Sequence, residues 1–274
     1  MLGKLIKHEF QTTWRPFAIC LVSLIATGLV GAFLAYIYPQ NLDVPTFVSV
    51  LLGTLIGGYV LLLIAISVIA FALVVVRFYK TMFTAEGYLT FTLPVTPLQI
   101  ITAKTLVSTI WILAINISTC ISVGFVGLGL VIKDWDELMA DLPMIMNAIR
   151  HGLEEMGAYT LGTAILFIIT LLIGVIGQIL TFYFAISIGQ LWQQHKVLGS
   201  VLAYIVIHII VNIITTVVSV GTSLSILAAD VVNASSMEHY VSSTLWISLI
   251  LNIIVCAIGY IGSIMITNKK LNLD

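Results

Sequence analysis

Six stretches of this chain run for more than 20 residues without one lysine, arginine, aspartate or glutamate. They cover residues 17–38, 48–76, 105–132, 157–189, 197–229 and 244–266. A helix needs about 20 apolar residues to cross the hydrocarbon core of a bilayer. A water-soluble helix of that length would carry charge along one face, and these have none to place there. Of the 274 residues 60% are hydrophobic and 8% charged, against roughly 25% charged in an average soluble domain. The chain therefore reads as an all-α polytopic membrane protein with six transmembrane helices, forming a single transmembrane domain over residues 1–274.

Orientation follows from the basic residues. With the amino terminus inside and six crossings, the inner side holds Lys4, Lys7, Arg15, Arg77, Lys80, Lys104, Lys196, Lys269 and Lys270, and the outer side only Lys133 and Arg150. Cytoplasmic loops carry the excess of Lys and Arg, so both termini are expected inside. The acids lean outward: Asp43, Asp134, Asp136, Glu137, Asp141, Glu154, Glu155, Asp230 and Glu238 fall outside, and only Glu9, Glu86 and Asp274 inside. The apolar run after the first lysines is too long for a signal peptide and has no small-residue cleavage site, so it is expected to be a retained first span.

Residues 2–17 place Leu2, Leu5, Ile6, Phe10, Trp14 and Phe17 on one helical arc and Lys4, Lys7, His8, Gln11 and Arg15 on another, with the interfacial helix itself expected over about residues 2–16. That pattern suits an amphipathic helix in the inner interface, with Lys7, Glu9, Phe10 and Trp14 as its marker residues. Residues 77–104 form the longest inner connection. Arg77-Phe-Tyr-Lys80 extends the second span, Gly87 and Pro94 break it, and Thr96-Pro97 has the form of an N-cap followed by proline at the first helical position. A simple hairpin needs only a few residues, so this segment is expected to build a cytoplasmic surface. The outer connection, residues 133–156, is acidic and then amphipathic, compatible with a cap or with an interfacial helix. Gly53-Thr-Leu-Ile-Gly57 fits the small-xxx-small helix-packing pattern.

Chemistry is conspicuous by its sparseness. Gly3-Lys4 lacks the rest of a phosphate-binding loop, His8-Glu9 lacks the second histidine of a metalloprotease helix, and no G-x-S-x-G elbow occurs. Cys20, Cys120 and Cys256 lie singly in apolar stretches, as packing residues do. No catalytic residues, metal ligands or bound cofactor are expected on the chain itself. The polar side chains at depth are Asn116, Gln178, His208, Asn212 and Asn252. His208 and Asn212 share a helical face. Two roles are open to these groups: hydrogen bonds that fix helix packing, or a polar stripe along a substrate path, for which Asn116, Gln178, His208 and Asn212 are the candidates.

Taken together the chain resembles the permease subunits of ABC-2 type transporters, an exporter class of ABC transporter found in bacterial cell membranes. The resemblance spans the chain. It is carried by Leu5-Ile-Lys-His-Glu-Phe10, by Glu86-Gly-Tyr-Leu-Thr-Phe-Thr-Leu-Pro94-Val-Thr-Pro97 leading to Lys104, and by the tail Asn268-Lys-Lys-Leu-Asn-Leu-Asp274. It implies an opening helix along the inner interface and a coupling helix between spans two and three that docks on a separate ABC ATPase subunit, which holds the ATP and Mg. Arg77, Lys80, Glu86, Tyr88, Leu89, Phe91 and Pro94 are the implied coupling residues. A second permease half, identical or homologous, is the other implied partner besides the lipid bilayer, and nucleic acid is not expected. The short outer segment 230–243 departs from relatives that carry large elements there. A path without charge fits hydrophobic or amphipathic cargo such as a peptide antibiotic, drug or lipid. The alternative is an ATP-independent secondary transporter or a membrane scaffold.

The topology has a direct test. In a background lacking the native cysteines, single cysteines at Asp136 and Glu238 should react with an impermeant thiol reagent in intact cells. A cysteine at Thr84 should react only after lysis, and its labelling from outside would overturn the assignment of sides.

Overall fold

The computed structural model describes residues 2–37, 45–84, 86–87, 95–133, 135–155, 158–192, 195–227 and 234–269. Within them the chain forms seven helices: α1 (Leu2–Ile37), α2 (Thr46–Phe83), α3 (Pro97–Lys133), α4 (Trp135–Glu155), α5 (Ala158–Gly189), α6 (Lys196–Leu227) and α7 (Ala234–Lys269). All but α4 are long and apolar enough to cross a membrane, and the protein is a multi-pass membrane protein. In hydrocarbon a backbone must satisfy its own hydrogen bonds, which is why each apolar run is an unbroken helix. Hydroxyls inside the spans follow the same rule. Thr27, Ser67, Thr109, Thr170, Ser187 and Ser263 each donate to the carbonyl four residues back, at 2.6–2.8 Å.

One element differs from expectation, and one left open by the sequence takes a definite form. The opening segment is not a separate element, because residues 2–37 form one 36-residue helix that continues through Pro16. Pro16 has no N–H for the Thr12 carbonyl, and proline is tolerated in such helices because neighbouring groups re-satisfy the backbone. The outer connection is settled as the 21-residue helix α4, with Pro143 inside it. Met139, Leu142, Met144, Ile145 and Met146 are exposed on it.

The helices group into two units. One contains the described residues of Met1–Leu5, Val75–Thr109 and Glu155–Asp274, and the other Ile6–Val74 and Ile110–Glu154. In the second unit α1 and α3 meet where small residues let backbones touch. A Cβ on Gly28 would lie 2.7 Å from the Ser122 Cα, and one on Gly129 would run into the Ala32 carbonyl. The packing pair on α1 is thus Gly28-x-x-x-Ala32. Among the described residues the Gly53-x-x-x-Gly57 pattern makes no such approach within the chain, since a Cβ at either glycine would meet nothing within 4 Å. In the first unit α5 packs on α7. A Cβ on Gly259 would meet Leu180 at 3.1 Å, one on Gly262 would strike the Phe184 ring, and one on Gly177 would reach the Cys256 sulfur at 3.3 Å.

Lipid tails are as apolar as leucine, so these contacts rest on close packing rather than on the hydrophobic effect. Gly28→Leu is therefore expected to lower the thermal unfolding midpoint of the detergent-purified protein, by about 1–3 kcal/mol of stability for overpacking. Gly53→Leu, in open space, should leave it unchanged.

Candidate functional site

The connection between α2 and α3 is held by its flanks. Thr96 and Gln99 form a capping box at the start of α3: the Gln99 N–H donates to Thr96 Oγ1 and the Thr96 N–H to Gln99 Oε1, each at 3.4 Å. Pro97 then occupies the first helical position, where its missing N–H costs nothing. On the other flank α2 ends at Phe83, and the Gly87 N–H donates to the Thr84 carbonyl at 2.7 Å. A Cβ on Gly87 would lie 2.6 Å from the Met82 carbonyl oxygen, so the chain turns there on a residue without a side chain.

One buried cation joins the flanks. Lys104 is 4% exposed, and its Nζ donates to Thr81 Oγ1 at 2.7 Å. Thr81 Oγ1 in turn donates to the Arg77 carbonyl at 2.8 Å. A lysine is almost never buried this far without partners, and here it pins the second turn of α3 to the last turns of α2. Beneath it Phe78 stacks on Tyr183 of α5, with ring centroids 3.7 Å apart, and both rings are about 1% exposed. The Tyr183 hydroxyl closes on Ser108 Oγ at 2.8 Å, and Thr102 Oγ1 pairs with the Tyr260 hydroxyl of α7 at 2.7 Å. Helices α2, α3, α5 and α7 are thereby tied together within one unit, next to the connection.

Of the implied coupling residues, Arg77 is half-buried in α2, while Lys80 and Glu86 are exposed. Tyr88, Leu89, Phe91 and Pro94 lie outside the described residues. Lys104, Thr81, Phe78 and Tyr183 carry the anchoring, and of these the sequence pointed only to Lys104, as the end of the inner connection. Only the lysine in an otherwise apolar helix start gave a signal.

The opening segment of α1 is engaged more deeply than an interfacial helix needs. Phe10 and Phe17 stack on opposite sides in sequence of the buried Thr13, and both rings lie against Trp111 of α3 at 4.7 and 5.2 Å. The Trp111 Nε1 donates to Thr13 Oγ1 at 2.9 Å, so the indole is satisfied where it is buried. Trp14 stays exposed with the Arg15 guanidinium 5.9 Å from its ring, Lys7 is exposed and Glu9 half-buried.

Three of the four candidate path residues come together. Gln178 Nε2 of α5 donates to the Tyr204 hydroxyl of α6 at 3.0 Å, and His208 stacks on the same tyrosine at 5.5 Å. Asn212 Nδ2 donates to the His208 carbonyl at 2.9 Å. Asn116 belongs to the other unit and is exposed on α3. Tyr204, which organises the group and also stacks on Phe182 at 4.4 Å, had no distinguishing pattern in the sequence.

No family model matches this chain, and no curated protein or solved structure is detectably similar to it.

Lys104→Met should lower the unfolding midpoint in detergent by about 1.5–3 kcal/mol of stability, the range for a hydrogen bond with one charged partner. Lys104→Arg, which retains charge and donors, should recover part of that loss in the same thermal scan.

Proposed function

We propose that this chain is the membrane subunit of an exporter-class ABC transporter in the plasma membrane. It takes force from a separate ATPase chain at the connection between α2 and α3 and moves a hydrophobic or amphipathic substrate. The observation that carries this reading is the clamp around that connection. A loop that only linked two spans would not need a capping box, a buried lysine and a stacked aromatic pair behind it. Such a clamp means that a push on the connection displaces the ends of α2 and α3 together rather than being absorbed locally.

The ATPase partner would hold ATP and Mg, and its closure would drive two six-span halves, identical or homologous, between inward- and outward-open states. Substrate affinity changes between those states only through differential contacts. Aromatic side chains are prominent among the residues that dominate interface energies, so Tyr88 and Phe91, with Leu89 between them, are the proposed grip, and Arg77, Lys80 and Glu86 set the register.

Replacing Tyr88, Leu89 and Phe91 together by alanine should leave the chain in the membrane at normal abundance. It should abolish co-purification of the ATPase and stimulated ATP hydrolysis. If both persist in the triple variant, this connection is not the coupling site.

A further inference from the structure

A seam runs along one side of α6. Towards the middle of the helix it is a cleft of about 240 Å³ between α5, α6 and α7, walled by residues such as Phe184, Ile207, Val211, Ile214, Val255 and Ile258. Among the described residues its polar linings are Thr181 and Thr215, and both hydroxyls are already used, donating to the Gly177 and Val211 carbonyls at 2.8 Å. A second depression, of about 370 Å³ between α5 and α6, is lined by Ile188, Trp192, Gly199, Ala203 and Val206 and shares Ile207 with the first. The α6 positions that line the two, Gly199, Leu202, Ala203, Val206, Ile207, Ile210, Val211, Ile214 and Thr215, repeat at helical spacing.

We propose that this seam binds one acyl chain of a membrane phospholipid, whose headgroup lies beside Trp192 and Lys196. The walls offer water no partner, so the cleft is not a hydrated site. Left empty, its lining would forfeit dispersion contacts, and the surrounding bilayer supplies alkyl chains directly. A helix from another chain, about 10–12 Å across, is too wide to enter. Scaled from a cavity of roughly 150 Å³ that holds one benzene, the inner cleft takes about ten carbons of a flexible chain.

Length agrees as well. From Gly199 to Thr215 the seam runs about 24 Å at 1.5 Å per residue, enough to carry a tail from the interface past the middle of a hydrocarbon core of about 30 Å. At its mouth Trp192 is 54% exposed, as a residue at headgroup level is expected to be. Lys196 precedes Gly199 by one turn and places positive charge where a phosphate would lie. Transfer from bilayer to seam gains no hydrophobic energy, so selection is by shape and favours an unbranched chain. This site is independent of the transport reading above and stands or falls separately.

The test uses the full chain in phospholipid vesicles that contain a phospholipid with a mid-chain diazirine, followed by irradiation and peptide mapping. Adducts should concentrate on Phe184, Ile207, Val211, Ile214, Val255 and Ile258, well above those on the exposed α2 residues Leu61 and Val68. Filling the cleft with Val211→Phe and Val255→Phe should cut cleft labelling about five-fold, as added bulk displaces the chain, while α2 labelling holds. Should that variant misfold, competition on the wild type decides instead: straight-chain phospholipid should suppress the labelling and methyl-branched phospholipid should not. Uniform labelling of all lipid-facing helices, or equal competition by both lipids, would overturn the site. Equal labelling by a diazirine fatty acid would overturn the phospholipid assignment. Trapping of Ile214→Cys as a disulfide dimer without lipid adducts would put a second copy there, and would also overturn it.

Discussion

Within a bilayer the usual driving force for packing is absent, since a leucine loses nothing by facing lipid instead of another helix. What holds this chain together is then close approach, and close approach requires small residues at the crossing points. Gly28 against Ser122 and Gly129 against Ala32 do this for α1 and α3, and Gly177, Gly259 and Gly262 for α5 and α7. At the α5–α7 crossing the Thr181 and Ser263 hydroxyls return to their own helix carbonyls, whereas Ser122 Oγ at the α1–α3 crossing pairs with the Tyr59 hydroxyl of α2 at 3.3 Å. The buried indole hydrogen bond from Trp111 to Thr13 in the second unit adds direction to a contact that glycine makes possible but does not orient.

The chemistry changes towards the connection between α2 and α3. There the structure uses a capping box, a charge-assisted hydrogen bond from Lys104 and two tyrosine hydroxyls that close on Ser108 and Thr102. Such bonds are stronger and more directional than dispersion contacts, so they resist shear where packing alone would slide. Their concentration in one place gives the connection a stiff base, whatever presses on it. The same unit contains α5, α6 and α7, which carry both the Gln178–Tyr204–His208 group and the apolar seam.

How much of this was legible in the sequence depends on the physics involved. The six spans were legible because the absence of charge over such lengths has one structural meaning, and the start of α3 because Thr96-Pro97 is a local signal. The continuity of α1 through Pro16 was not, since proline breaks helices in water and is accommodated in membranes. Packing motifs within the chain were legible in form but not in place: among the described residues Gly53 and Gly57 match the pattern and meet nothing, whereas Gly28 and Gly129 make the contact. Partner choice between helices is a long-range property, and so Trp111, Tyr183 and Tyr204 looked like any other aromatic residues. Lys104 stood out only as a charge at a span boundary, and its burial depends on Thr81, 23 residues earlier in the chain.

The polar group on α5 and α6 divides the two roles open to it. Gln178 and Asn212 spend hydrogen bonds on Tyr204 and on the helix backbone, which is what packing requires. His208 differs. Its ring is exposed and stacked on Tyr204, and among the described residues its nitrogens make no hydrogen bond. An imidazole bare in hydrocarbon would cost several kcal/mol as an unpaired polar group, and polar residues at depth face protein or water rather than lipid tails. The His208 face of α6 is therefore the part of the group that packing within this chain leaves unsatisfied. The proposed transporter assigns that face to a second half or to the path between halves. The apolar seam, whose lining has no such debt, is free to face the bilayer.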